Sequence, residues 1–418
     1  MNAICNTHRS YRARQDGLLR KLVPEQEHVQ FLNECRRKVR SCLKTGLRDF
    51  INMYDTEGPD PKFRIQGSWA YGLCNLPAYD HQELDLDYGV YLSSSIFKDD
   101  TQYSKKTLKQ YFDEVESLVS VLAEDEGWTV DANDNCVRLI IGKNSHLDVP
   151  VYIVPASMFD DLEENSQLQT GVKLAAATAS FESRGMYDSA SYADLAMDGT
   201  SIFESYRMDF EAKFKDHIDL ENITRITMAK RDGDYRASDC EQVRKWFSDF
   251  LESQEDKGTQ LRYICRYLKA WRDWHWKEGG GPSSILLMVI SCQNYSFISD
   301  RDDLALLAIL KRLPEALKGT VKEIRIPDHE DEDFNRIKPE DRQFCSTKAA
   351  NFFSLITDAL SEEQAKYCID KHILAFGNRF PNNAEYVKVV PIDPEGAIFA
   401  QPAVVGSHAK LPPSVTSG

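Results

Sequence analysis

Two strand-like runs in this chain carry aspartates where a strand hides its side chains: LDLDYGVYL at 84–92 and HLDVPVYIVP at 146–155. Alternation and aromatic or β-branched content mark both as strands. Residues i and i+2 of a strand point the same way, so Asp85 and Asp87 share a face while Leu86 packs behind. Carboxylates held so close repel, and a cation, a shared proton or a solvated sheet edge must relieve them. Asp148 brings a third acid into an apolar strand, and Pro150 there points to a strand start or a sheet edge.

A chain of 418 residues is long for one hydrophobic core, so two lobes are expected. Apolar spacing predicts a long amphipathic helix over 24–52 and another over 106–125, with two strands in 137–155 turning at Gly142–Ser145. That order describes a mixed α/β lobe, drawn at 1–204. Beyond it, helical periodicity at 241–254, 258–277, 282–297, 302–318 and 347–373 predicts a mostly helical lobe over 205–393. The cleft between lobes is the natural site. Residues 322–343 read as a charged loop, and 394–418 as a tail ending in Gly418.

A net charge of −15 argues against coating long DNA or RNA, though not against a local basic cleft. The longest apolar run, SILLMVI, falls far short of the roughly 20 residues that span a bilayer, and the N-terminus has no apolar leader. The ten cysteines form no C-x-x-C pair, which favours reduced thiols in a cytoplasmic protein. The nine histidines form no metal-binding spacing, so a histidine metal site is not expected.

Three inward-facing acids on two strands match what two-metal nucleotidyl transfer requires, since Mg²⁺ prefers oxygen ligands and is often shared between carboxylates and phosphates. Gly67-Ser68, at a strand end, suits close approach to phosphate oxygens, although Gly-Ser is more often a plain turn. In QLRYICRYLKAWRDWHW (260–276), Arg262, Arg266 and Lys269 form one stripe, either a solvated face or a cradle for a triphosphate. GGGPSS follows, and Ser283 and Ser284 stand where a helix begins, able to cap it or to meet an anion. Trp69 and Tyr71 are candidates for stacking on a base against the plainer reading as core, and Arg138 for reaching phosphate.

Together these stretches, with FRIQGSWAYGL, DGDYRASD and AFGNRF, resemble the bacterial cGAS-like nucleotidyltransferases (CD-NTases) of the cyclic GMP-AMP synthase branch, which act in anti-phage signalling (CBASS). The resemblance implies an α+β fold: a polymerase-β-like nucleotidyltransferase core joined to a mostly helical lobe. It implies that Asp85, Asp87 and Asp148 hold two Mg²⁺ ions, with Mn²⁺ able to substitute. Gln66, Gly67, Ser68 and Tyr71 would line the nucleotide. Arg138, Lys269 and Ser283 or Ser284 would meet phosphate groups, and Ser238 the second nucleotide. Asp331 falls where an acid reads a base, and Gly418 where a ubiquitin-transfer-like partner would join the chain to targets. Three glycines precede PSS where the branch has two, which leaves open which serine faces substrate. The implied reaction joins ATP and GTP by two successive 3′-hydroxyl attacks into 3′,3′-cyclic GMP-AMP, with no DNA activator and no membrane. A template-independent transferase acting on RNA or protein, and a nucleotide sensor without catalysis, are the other readings.

Overall fold

The computed structural model describes residues 5–97, 104–162, 225–237, 240–327 and 329–390. Two lobes are present, each with its own apolar core.

Among the described residues, the first lobe is built on an eight-stranded mixed sheet. Its central strand is β3 (Leu84–Ser93), flanked on one side by the antiparallel β2 (Lys62–Gln66). On the other side β3 runs parallel to β6 (Ser145–Val149) and then to β7 (Val151–Val154). β6 and β7 keep the same register against β3 and are parted only at Pro150, which has no N–H to give the ladder. Its carbonyl still accepts from Val90 N at 3.0 Å. Beyond β6 lie β5 (Val137–Gly142) and β4 (Thr129–Ala132); beyond β7 lie β8 (Thr227–Ala229) and β9 (Tyr235–Ala237).

Alternation along β3 assigns its two faces. Leu84, Leu86, Tyr88, Val90 and Leu92 pack into a core with the helices Gln26–Asn52 and Ser104–Glu126. The opposite face carries Asp85, Asp87, Gly89 and Tyr91, and it is the face left for chemistry. Both long helices start and end within two residues of the expected bounds, because each shows an unbroken apolar stripe.

The second lobe packs the helices Gly258–His275, Ser284–Asn294, Asp302–Leu310, Pro339–Leu360 and Ala365–Phe376 around one core. Two expectations change here. The helix expected at 302–318 is two, Asp302–Leu310 and Leu313–Lys318, with Pro314 in the first turn of the second. The helix expected over 347–373 is also two, Pro339–Leu360 and Ala365–Phe376, and the first starts early, at a proline pre-set for a first helical turn, so the tail of the charged loop is helical.

The chain's start also lies elsewhere than drawn. Cys5, Tyr11, Leu18, Leu19 and Leu22 are buried in the core of the helical lobe, and β1 (Cys5–Asn6) pairs with β10 (Lys388–Val389) near the other end of the described chain. The boundary expected at 204 and the tail from 394 lie outside the described residues. No helix of the described residues is long and apolar enough to cross a membrane. Nine cysteines of the described residues are free thiols.

Candidate active site

The site begins at the sheet register. Gln66, Asp87, Asp148 and Arg138 lie side by side across β2, β3, β6 and β5, and Asp85 pairs with His146 one step along. Four of the residues singled out from sequence thus come together in one row. His146 completes the adjacent row.

Asp148 is fully buried, and Arg138 grips it with two hydrogen bonds, Nε to Oδ1 at 2.8 Å and Nη2 to Oδ2 at 2.7 Å. Those bonds hold the guanidinium pKa above its ordinary value. The expected reach of Arg138 towards phosphate is therefore not what the structure displays: this arginine positions an acid. Asp85 is partly exposed and lies 2.9 Å from His146 Nε2, which stands 3.9 Å from Asp148. The other imidazole nitrogen, Nδ1, is 2.7 Å from Glu83. Burial alone would pull the His146 pKa down, but the hydrogen bond to Asp85 and the charges of Asp85 and Asp148 outweigh it and raise it to about 9.

One ligand atom each from Asp85, His146 and Asp148 lies within 4.8 Å of the others. The expected cluster of three carboxylates is thus, among the described residues, two carboxylates and an imidazole. Asp87 turns its carboxylate towards Gly67: a Cβ on that glycine would stand 1.9 Å from Asp87 Oδ2. Gly67 also has φ +64, so both contact and backbone demand glycine. Trp69, buried, donates to the Asp85 carbonyl at 2.7 Å and ties the turn after β2 to the acidic strand.

Ser68 and Lys269 meet across the two lobes. Lys269 Nζ donates to Ser68 Oγ at 2.6 Å and to the Leu73 carbonyl at 3.0 Å. Its neighbour on the stripe, Arg266, is buried and fastens the segment after Gly67-Ser68 by bonding to the Cys74 carbonyl and Asn75. Arg262 packs beneath Gly72. The basic stripe is thus neither solvated nor wholly a phosphate cradle, because much of it docks one lobe onto the other. The same seam is closed by Tyr79 stacking on Trp274 at 5.1 Å and by Arg379, from AFGNRF, which bonds to the Ala270 carbonyl of its own lobe and reaches the Leu76 carbonyl across the seam at 3.5 Å.

Other expectations are placed differently. Gln66 is fully buried, donating to Tyr91 Oη and accepting from Tyr152 Oη at 3.1 Å, so it braces the sheet rather than lining an open cleft. Tyr71 is 6% exposed and sits edge-on to Phe247 in the helical core, which is a packing role and not a presented platform. Ser283 caps its helix by accepting from Leu286 N, and Ser284 accepts from Arg272 at 3.0 Å. Asp331 stands fully exposed and bonds to Lys322 at 2.9 Å, with no tie to the acidic row. Ser238 and Gly418 lie outside the described residues.

Sequence reasoning missed His146, Glu83 and Arg272. The signal for His146 was present: it precedes Asp148 by two residues in one strand and must share its face.

Comparison with known proteins agrees in both lobes. Residues 61–152 match the family model of the nucleotidyltransferase domain of cyclic GMP-AMP synthase DncV-like proteins. Residues 258–389 match the model of the cyclic GMP-AMP synthase C-terminal domain. The chain belongs to the bacterial DncV-like nucleotidyltransferases. Among relatives of this family, the cyclic GMP-AMP synthase of Vibrio cholerae serotype O1 is 27% identical over 481 aligned positions covering all of both chains. A cyclic GMP-AMP synthase of Escherichia coli is 28% identical over 94% of this chain and 84% of its own. The fold is shared with the Vibrio cholerae DncV cyclic AMP-GMP synthase solved with a linear intermediate: TM-score 0.65 at 23% identity, over 93% of this chain and 100% of that one. It is shared too with Escherichia coli DncV bound to 3′-deoxy GTP, TM-score 0.64 at 20% identity, over 92% of this chain and 99% of that one. As a member of the family the chain is a nucleotidyltransferase on a polymerase-β-like fold.

Proposed function

We propose that this DncV-like nucleotidyltransferase is a cyclic dinucleotide synthase that joins ATP and GTP into 3′,3′-cyclic GMP-AMP, a second messenger of anti-phage signalling in the cytoplasm. The observation that carries the reading is the acidic row of β3 and β6 beside the Ser68–Lys269 bridge. It places carboxylates and a cation on neighbouring elements at a seam between lobes.

Asp85 and Asp148, with Asp87 next to them on the phosphate side, form a donor set that fits divalent cations: carboxylate oxygens on adjacent strands, with ligand atoms close enough to share an ion. Mg²⁺ ions held there would lower the pKa of an attacking 3′-hydroxyl and neutralise the triphosphate. The chain's own groups do the rest. Arg138 fixes the Asp148 carboxylate in one orientation, so no reorganisation is needed when substrate arrives. Lys269 brings positive charge and Ser68 a hydroxyl to the place proposed for the triphosphate, and Arg272 holds Ser284 at the next helix start. The contacts of Arg266 with Cys74, Arg379 with Leu76 and Tyr79 with Trp274 hold the lobes in register, which sets the in-line geometry that this chemistry needs.

The test is mass spectrometry of products from all four NTPs with Mg²⁺. The expected product is phosphatase-resistant and contains one AMP and one GMP. Labelling of an RNA or protein instead would point to a template-independent transferase, and binding without pyrophosphate release to a sensor.

A further inference from the structure

Within the row of acids, His146 is oriented as a metal-ligating histidine is oriented. Its Nδ1 lies 2.7 Å from Glu83 Oε2, which keeps an N–H on that nitrogen, so that a cation displacing the proton Nε2 shares with Asp85 would meet the Nε2 lone pair facing Asp85 and Asp148. The ring is buried, 6% exposed, and is locked by strand pairing opposite Asp85. Ligand atoms around one ion bound at about 2.1 Å stand about 3 Å apart when adjacent and about 4 Å apart when opposite. The spacings of 2.9 Å to Asp85 and 3.9 Å to Asp148 fall in that range.

We propose that His146 Nε2 is a direct ligand of the cation held by Asp85 and Asp148, oriented by Glu83, and that this nitrogen tilts the site from Mg²⁺ towards Mn²⁺. The inference rests on reading those two aspartates as a metal pair. A site of carboxylates and water suits the hard Mg²⁺ ion, whereas an imidazole adds affinity for first-row transition metals. His146 is then a specificity-determining residue, setting which ion the enzyme takes up when both are present. Glu83 is a positioning residue, acting through the ring.

The probe is Mn²⁺ alone, added to the purified full-length chain and read by pulsed electron paramagnetic resonance. Nitrogen modulation from a bound imidazole is expected, altered by ¹⁵N-histidine labelling of the unmodified chain, which needs no variant to fold. His146→Gln should abolish that signal and lower the Mn²⁺/Mg²⁺ affinity ratio about tenfold. Glu83→Gln should keep the nitrogen signal while weakening Mn²⁺ binding. Mn²⁺ that binds, is lost in Asp85→Asn, and shows no nitrogen modulation would overturn the ligation while leaving the aspartate site standing. Mn²⁺ binding indifferent to Asp85→Asn would overturn both.

Discussion

Two groups of acids, one in the helical lobe and one on the sheet face, differ in their neighbours. In the helical lobe, Asp302 and Asp303 are fully buried beside each other, and donors meet their oxygens. Asp302 accepts from Gln260, Tyr267 and Arg12; Asp303 accepts from Thr7, Arg301 and Leu304 N. Burial alone would raise the Asp302 pKa, but the hydrogen bond from His8 and the charge of Arg12 prevail and hold it below its ordinary value. On the sheet face, Asp85 and Asp148 instead face each other across an imidazole, with Arg138 taking up only Asp148. The first group is closed, and it anchors the N-terminal segment to the lobe. The second is arranged around a point where a positive charge belongs. Burial of acids therefore does not distinguish structure from chemistry; the identity of their neighbours does.

The histidines repeat the contrast. His146, among carboxylates, is raised to about 9, while His372, stacked on Phe380 in the apolar core, is lowered by burial to about 4.

The comparison breaks most sharply at Asp85. Asp85→Asn should cut synthesis by about a thousandfold with little loss of stability, because the residue is partly exposed and the change is isosteric. Product yield and thermal unfolding together check this, and retained synthesis would remove Asp85 from the chemistry. Asp302→Ala should do the reverse, destabilising by about 3–5 kcal/mol because Gln260, Tyr267 and Arg12 lose the buried acceptor they share. Denaturant unfolding reads the loss, and synthesis per folded molecule should be nearly unchanged.

His372 predicts a pH effect in the helical core. Its folded pKa lies below the unfolded value of 6.5, so its contribution is present above pH 6.5 and is lost as pH falls towards 4. At about 1.4 kcal/mol per unit, the loss is on the order of 3 kcal/mol, and His372→Phe should flatten that part of the stability curve. Ser68→Ala should have the smallest effect, about tenfold in kcat/KM with stability within about 1 kcal/mol, since Lys269 keeps its bond to the Leu73 carbonyl. An unchanged kcat/KM would place the bridge with the closed, structural group.

Much of the fold was legible because its signals are local. The apolar stripes of Gln26–Asn52 and Ser104–Glu126, and the alternation in Leu84–Ser93, follow from periodicity that any packing must respect. Helix ends near Pro314 and Pro339 were misread in opposite ways, a helix being run through Pro314 and a loop past Pro339, where each proline begins a helix. Tyr71 and Arg266 illustrate the harder case. An aromatic beside a turn and an arginine on a stripe look the same whether they face solvent, substrate or another lobe, and only packing against Phe247 and Cys74 decided it.

The chain by itself determined that Asp85, Asp87 and Asp148 enter apolar strands, and that Asp85 and Asp87 lie on one face, because strand period is a property of the backbone. Only the tertiary structure decided which acids become neighbours. Parallel pairing of β3 with β6 sets Asp87 beside Asp148 and Asp85 beside His146, a register made by strands some sixty residues apart in sequence. It also decided that Arg138 serves an acid and that Lys269 reaches Ser68, since hydrogen-bond partners between separate elements depend on how those elements pack.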